Sequence, residues 1–366
     1  MHTDEAPGEI RGPLALGRTA AKYSDGADGF SDVGSRTFAC QPAPRYPAVA
    51  WGFAGGVGER VTGLGRGWKC QGLRWGGGAP VLGWRRGGDG ARGGVRRESV
   101  RRESVLEYGR DVGFRAVGAR MCVGARGNVC PLGALVAGRG TSGQCAECAR
   151  LDRAHSVAAD TIADDPRTYR VYLAWFGPGM VKVGITAEER GSARLLEQGA
   201  VAFSWLGRGP LMAARRTEDL LRRALGVPDR IPYARKRAVR AALPAPEERV
   251  AEIERLYVRA VALEGWPPSL ERLEFAAVDH AGAFGLAGLA PATGVVVELV
   301  DAGCVAGRLV AAAGPDLHLA TADGGMIVLD TRLMSGWELT AMAGGDGVVT
   351  VPVRDVDGGG VQDELF

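Results

Sequence analysis

A chain of 366 residues with 46% apolar and 24% charged side chains has the balance of an ordinary globular protein of roughly two or three domains, which excludes a wholly disordered chain. The formal net charge of +3 is too small to argue for nucleic acid by itself, and Lys22, Lys69, Lys182 and Lys236 are the only Lys among 45 basic residues, the mark of an Arg-rich coding bias. No run of 18 apolar residues occurs and the N-terminus lacks a charged-then-apolar signal pattern, so the expectation is a cytoplasmic chain without a membrane partner.

Residues 1–65 carry Gly, Pro, Ser and Asp without sustained periodicity and are expected to form a disordered leader or to reflect a mis-assigned start. Between 66 and 121, strand-like pieces such as PVLGW and VGFRAV predict a small β segment. Within it RRESV occurs twice in tandem, at 96–100 and 101–105, which reads as a slipped duplication in a solvated loop, with a nucleic-acid arm as the alternative. A Cys-rich segment, 122–155, precedes alternating strand and helix patterns with a helical extension over 156–265. PPSLERLEF opens a linker, 266–284, and the apolar runs of 285–345 predict a small β-barrel-like domain that folds on its own and carries no chemistry. Residues 346–366 are expected to be a disordered tail. The fold class is α+β.

Four of the seven Cys, at 122, 130, 145 and 148, lie within 27 residues, and clustered thiols in a cytoplasmic chain point to a metal rather than to disulfides. CAEC (Cys145 to Cys148) has knuckle spacing, while Cys122 and Cys130 are more loosely spaced; Gly124, Gly127 and Gly133 let the backbone fold around an ion. The expected cofactor is structural Zn²⁺ on Cys122, Cys130, Cys145 and Cys148, with a redox CAEC as the alternative; His155 reads as a solvated residue at a helix start, with reserve ligand as its alternative. Cys40, Cys70 and Cys304 read as ordinary small residues.

RVYLAWFGPGMVKVGIT (170–186) reads as a hairpin turning at GPG, with paired residue numbers summing to 356. Odd positions, Val171 to Trp175 and Val181 to Ile185, make one wholly apolar face. Even positions place Tyr172, Ala174, Lys182, Gly184 and Thr186 on the other, expected to be an open floor rather than core. A helix from Glu188 would carry Arg190 and Arg194 at its edge, and after the strand VAFSWL a second helix shows an apolar arc from Leu211 to Leu225. Glu218 is the one charge inside that arc, which is costly unless it meets a cation or metal.

VYL followed ten positions on by KVG and Thr, then Arg on the next helix and Glu on the helix after the third strand, resembles the core of the GIY-YIG nuclease superfamily over about 168–235. Together with the Cys cluster, it resembles an uncharacterised bacterial family, a domain of unknown function joining a zinc-knuckle-like segment to such a core. The resemblance implies a three-stranded antiparallel sheet with flanking helices. It also implies a nuclease acting on nucleic acid through one divalent ion, Mg²⁺ or Mn²⁺. Carried over by position, Tyr172 matches the first-motif Tyr that takes a proton from water, Lys182 replaces the second-motif Tyr, Gly184 matches that motif's Gly and Glu218 matches the metal ligand; Arg190 and Arg194 share the place of the phosphate-binding Arg. Arg170 stands before Val171 where that motif has Gly, and Asp229 is the nearest polar stand-in for the family's late Asn.

A Tyr with pKa near 10 is a poor base at neutral pH unless a neighbouring cation stabilises phenolate, a role open to Lys182. Tyr172 and Lys182 therefore have three readings: catalysis, phosphate binding without catalysis, or a phenol and an alkyl stem packed side by side. The corresponding alternative for the whole chain is a non-catalytic nucleic-acid-binding or scaffold protein. The basic stretch PYARKRAVRAAL is expected to be a solvated helix able to lie along a phosphate backbone.

Overall fold

The structure, a computed structural model, describes residues 68–86, 100–154, 165–228, 230–342 and 347–356. The expected leader, Arg96 to Ser99 of the first RRESV copy, His155 and Asp229 lie outside the described residues.

The chain begins with β1 (Trp68–Gly76), β2 (Ala79–Arg86), β3 (Val100–Val105), β4 (Asp111–Val117) and the short helix α1 (Ala146–Ala154). It continues through β5 (Thr168–Trp175), β6 (Val181–Ala187), α2 (Ala193–Gln198), β7 (Ala202–Pro210), α3 (Leu211–Leu225), α4 (Tyr233–Val239) and α5 (Pro246–Val261). It closes with β8 (Glu271–Arg272), β9 (Ala277–Asp279), α6 (Ala281–Phe284), β10 (Gly294–Val296), β11 (Cys304–Ala313), β12 (Asp316–Ala320), β13 (Met326–Asp330), β14 (Glu338–Ala341) and β15 (Val353–Asp355). The fold is mixed α/β with two sheets, and among the described residues neither sheet closes into a barrel. No described helix is long and apolar enough to cross a membrane.

The larger sheet runs β15-β10-β13-β12-β11-β4-β14-β1-β2-β3. It corrects the expected boundaries, because β4 lies hydrogen-bonded between β11 and β14, so the 66–121 segment and the 285–345 segment are one sheet and not two modules. β15 extends that sheet from β10 out of the expected tail, and β8 and β9, from the expected linker, pair with β7. The second RRESV copy is likewise not a loop: it forms β3, paired to β2 with Val105 opposite Val81. Apart from β3, whose partner β2 is the preceding strand, these corrections share a cause, a strand partner far away in sequence that local pattern does not announce.

The smaller sheet runs β6-β5-β7-β8, with β9 also on β7. The hairpin register is as expected: Tyr172 opposes Gly184 and Ala174 opposes Lys182. Val171, Leu173, Trp175, Val181 and Val183 are buried in a core shared with Leu211, Ala214 and Leu221 of α3 and Ile253 of α5. Each such aliphatic side chain contributes about 1.5–3 kcal/mol when fully buried. Glu252 of α5 holds the hairpin's end, accepting Trp175 Nε1–H at 2.7 Å and the Gly179 N–H at 2.9 Å.

The opposite face is not an open floor. Tyr172, Ala174, Phe176 and Met180 form a second core with Leu195, Ala200, Phe203 and Ile231, because α2 and the segment after α3 cover that face. The expected helix from Glu188 is also divided, into a 3₁₀ turn at Glu188–Arg190 and α2. Gly191, at φ +49°, separates them, in a conformation L side chains rarely adopt.

Candidate functional site

The Cys segment folds into a compact loop before α1. The Cys122 N–H donates to the Ala134 carbonyl at 2.8 Å and the Val123 N–H to the Gly143 carbonyl at 2.9 Å. Gly124, at φ +83°, cannot be replaced without strain: an added Cβ would collide with the Asn128 carbonyl and stand 2.8 Å from the Cys130 N. This tight return brings Cys122 and Cys130 together, while Cys145 and Cys148 arrive at the start of α1.

The four sulfurs all lie within 4.8 Å of one another, and Cys130 Sγ is 3.9 Å from Cys145 Sγ. A tetrahedral zinc with Zn–S bonds near 2.3 Å separates its sulfurs by about 3.8 Å. Cys122 Sγ accepts the Gly124 N–H at 3.4 Å and the Cys145 N–H at 3.2 Å. The Ala134 backbone N–H holds the Cys130 thiol low, at about 6, whereas burial and the neighbouring sulfurs push Cys148 up. Four thiolates so close repel one another unless a cation joins them, and these residues fit a metal ion such as zinc. Around them, Gln144 Nε2–H donates to the Gly124 carbonyl at 2.9 Å and to Asp152, whose Oδ1 accepts the Arg126 N–H at 2.9 Å. The other two described cysteines are unlike these: Cys70 and Cys304 are buried apart, and burial pushes the Cys70 thiol up to about 12.

Tyr172 anchors the second constellation. Its ring lies across Gly184, where an added Cβ would stand 2.8 Å from Cε2, so the glycine is required by the phenol beside it. On the other side Tyr172 opposes Trp205 of β7, in edge-on contact at 6.1 Å. Lys182 Nζ is 6.0 Å from the ring centroid. Burial raises the phenol pKa; Arg194 and Arg190 act against that rise and Glu218 adds to it. The expected residues Tyr172, Lys182, Arg190, Arg194 and Glu218 therefore share one neighbourhood, with Tyr172 2% exposed, Lys182 and Glu218 half-buried and both Arg exposed. Arg190 Nη2–H donates to both oxygens of Glu197, at 2.9 and 2.7 Å, and Arg194 lies 3.9 Å from the same carboxylate.

Residues 109–339, from the edge of β4 to β14, match the model of a family described as a protein of unknown function, DUF2797. The chain belongs to that family. No curated protein and no solved structure matches it. The match spans the Cys centre, the hairpin and much of the large sheet.

Three groups of residues in this DUF2797 chain were not legible beforehand. Arg120, 2% exposed, stands two residues before Cys122 and donates to the carbonyls of Ser335, Ala137, Gly140 and Arg332 at 2.8–3.0 Å, tying the Cys loop to the large sheet. The basic helix α4 is solvated on one side only, with Arg235 exposed and Lys236 buried. Arg237 donates to Asp316 at 2.6 and 3.0 Å and to Asp330 at 2.8 Å, and Arg240 donates to Asp316 at 2.7 Å. Those two guanidinium groups are spent on the carboxylates of the large sheet. Gln198, donating from Nε2 to Tyr172 Oη at 3.1 Å, was also missed; its one sequence signal is its place just before the helix-ending Gly199.

Proposed function

We propose that this DUF2797 chain is a divalent-metal-dependent nuclease acting on nucleic-acid phosphodiesters through a GIY-YIG-like core, with a structural zinc on Cys122, Cys130, Cys145 and Cys148. The observation that carries the reading is Lys182 beside the Tyr172 phenol on the β5–β6 hairpin, with Arg190, Arg194 and Glu218 from the neighbouring segments near enough to act on that phenol electrostatically. In it Tyr172 takes the proton of the attacking water, and Lys182 with the Arg190/Arg194 edge favours the phenolate and neutralises the phosphate oxygens. Glu218 is the residue that would hold Mg²⁺ or Mn²⁺, which supplies charge stabilisation at the phosphate. The Cys centre acts in folding and takes no part in the chemistry.

Two observations favour a second reading, a nucleic-acid-binding or scaffold protein whose core has lost chemistry: Tyr172 is 2% exposed, and Arg190 already engages Glu197. A nicking assay on single- and double-stranded DNA and RNA, with Mg²⁺ or Mn²⁺, separates the two. The nuclease reading expects wild-type cleavage lost in Glu218→Gln and Tyr172→Phe proteins that still fold. Binding without cleavage across all substrates and both metals would replace it with the second reading.

A further inference from the structure

Tyr172 Oη is held by a buried relay from α4. Gln198, 8% exposed, donates from Nε2 to that oxygen at 3.1 Å, and its own carbonyl, the last of α2, accepts from Lys236 Nζ at 3.0 Å. Lys236 is 4% exposed, and its ammonium lies 3.9 Å from the Phe176 ring centroid and 4.4 Å from that of Tyr233. An amine at the end of a helix satisfies a carbonyl that has no partner within the helix, and two ring faces hold it there. The amide bond to Tyr172 has a directional consequence. With one lone pair of Oη accepting from Gln198, the phenol's own proton must point elsewhere, and the bond becomes charge-assisted once that proton leaves.

We propose that Gln198 and Lys236 are positioning residues for Tyr172, fixing the orientation of its hydroxyl and favouring its phenolate. Their role as supports of a general base rests on the nuclease reading above, whereas the positioning itself does not. The groups bearing on the phenol are Lys182 on β6, Arg190 in the turn before α2, Arg194 on α2, and Glu218 on α3. Those bearing on Lys236 are Lys182, Arg240 just after α4, Asp316 of β12 and Arg332; burial first, then Lys182 and Arg240, bring its amine down to about 7.

The test is the ionisation of Tyr172, read as the difference between each protein and its Tyr172→Phe partner in the carbon-13 Cζ resonance of labelled tyrosine. Gln198→Met keeps side-chain length and removes the donor. It should lower the Tyr172 ionisation constant about tenfold or more, the size of one lost hydrogen bond to a charged group. Lys236→Met should move it in the same direction by less. A merely structural role would lower the melting temperature and leave this resonance and its titration in place. Should Gln198→Met fail to fold, Lys236→Met and the shorter Gln198→Asn carry the same readout. An unchanged Tyr172 titration in the folded variants overturns the proposal. Absence of cleavage by the wild type together with a shifted titration would instead remove the nuclease reading and leave the positioning standing.

Discussion

Replacing Asp316 by Asn tests the joint that places α4 beside the hairpin. The carboxylate is 0% exposed and accepts from Arg237 Nε and Nη2, at 3.0 and 2.6 Å, and from Arg240 Nη1, at 2.7 Å. Asn keeps the volume but removes the charge and one acceptor. Arg237 retains Asp330 at 2.8 Å, but Arg240, 1% exposed, keeps the Ala313 carbonyl at 3.1 Å and the His318 ring at 3.3 Å, neither of which balances its charge. Breaking one side of a buried pair costs about 3–5 kcal/mol, a large part of a total stability of about 5–15 kcal/mol. At about 2–4 °C per kcal/mol for chains of 150–250 residues, the melting temperature should fall by about 10 °C. Burial alone would raise the Asp316 pKa, but Arg240 and Arg237 outweigh it and hold the carboxyl below its usual range. Its contribution is therefore present above the unfolded value of about 3.9 and lost as pH falls below it. Urea unfolding at neutral pH measures the effect, in a double-mutant cycle with Arg240→Met. A loss under about 1 kcal/mol, or strictly additive single and double variants, would refute the reasoning.

Elemental analysis should find about one Zn per chain, and Cys145→Ser with Cys148→Ser should lower both zinc content and stability; four freely alkylated thiols in metal-free native protein would remove the zinc site. Gly184→Ala should destabilise by about 1–3 kcal/mol, because its methyl displaces the Tyr172 ring; a neutral melting curve would contradict the packing. Burial lowers the His318 pKa to about 3, so the histidine is neutral in the fold and takes up its proton only on unfolding. Stability should thus decline as pH falls from about 6.5 towards 3, and the slope should lessen by up to one proton in His318→Phe; an unchanged slope would count against it. A chain ended at residue 284 should fail to fold, since it exposes both edges of β4; a cooperative unfolding transition from it would show that the large sheet is dispensable.

Local chemistry was enough for some of this protein. Four thiols in 27 residues specify a metal-sized cluster whatever surrounds them, and the GPG turn sets which hairpin residues oppose each other, since strand parity leaves no freedom once the turn is placed. The apolar arc of α3, with Thr217 and Leu221 buried and Glu218 half-buried, follows from helical period alone.

Tertiary structure decided the rest, wherever a residue's partner lies far along the chain. The even face of the hairpin looked open because Leu195 and Ile231, which cover Tyr172 and Ala174, arrive from other elements. Arg237 of α4 and Arg240 just after it looked solvated because their carboxylates lie 76 to 93 residues away. β4 lost its apparent independence for the same reason, its neighbours being β11 and β14 near the other end of the chain. Periodicity tells which side of an element is apolar, but which distant segment buries it, and which charge it is paired with there, is settled by how the whole chain packs.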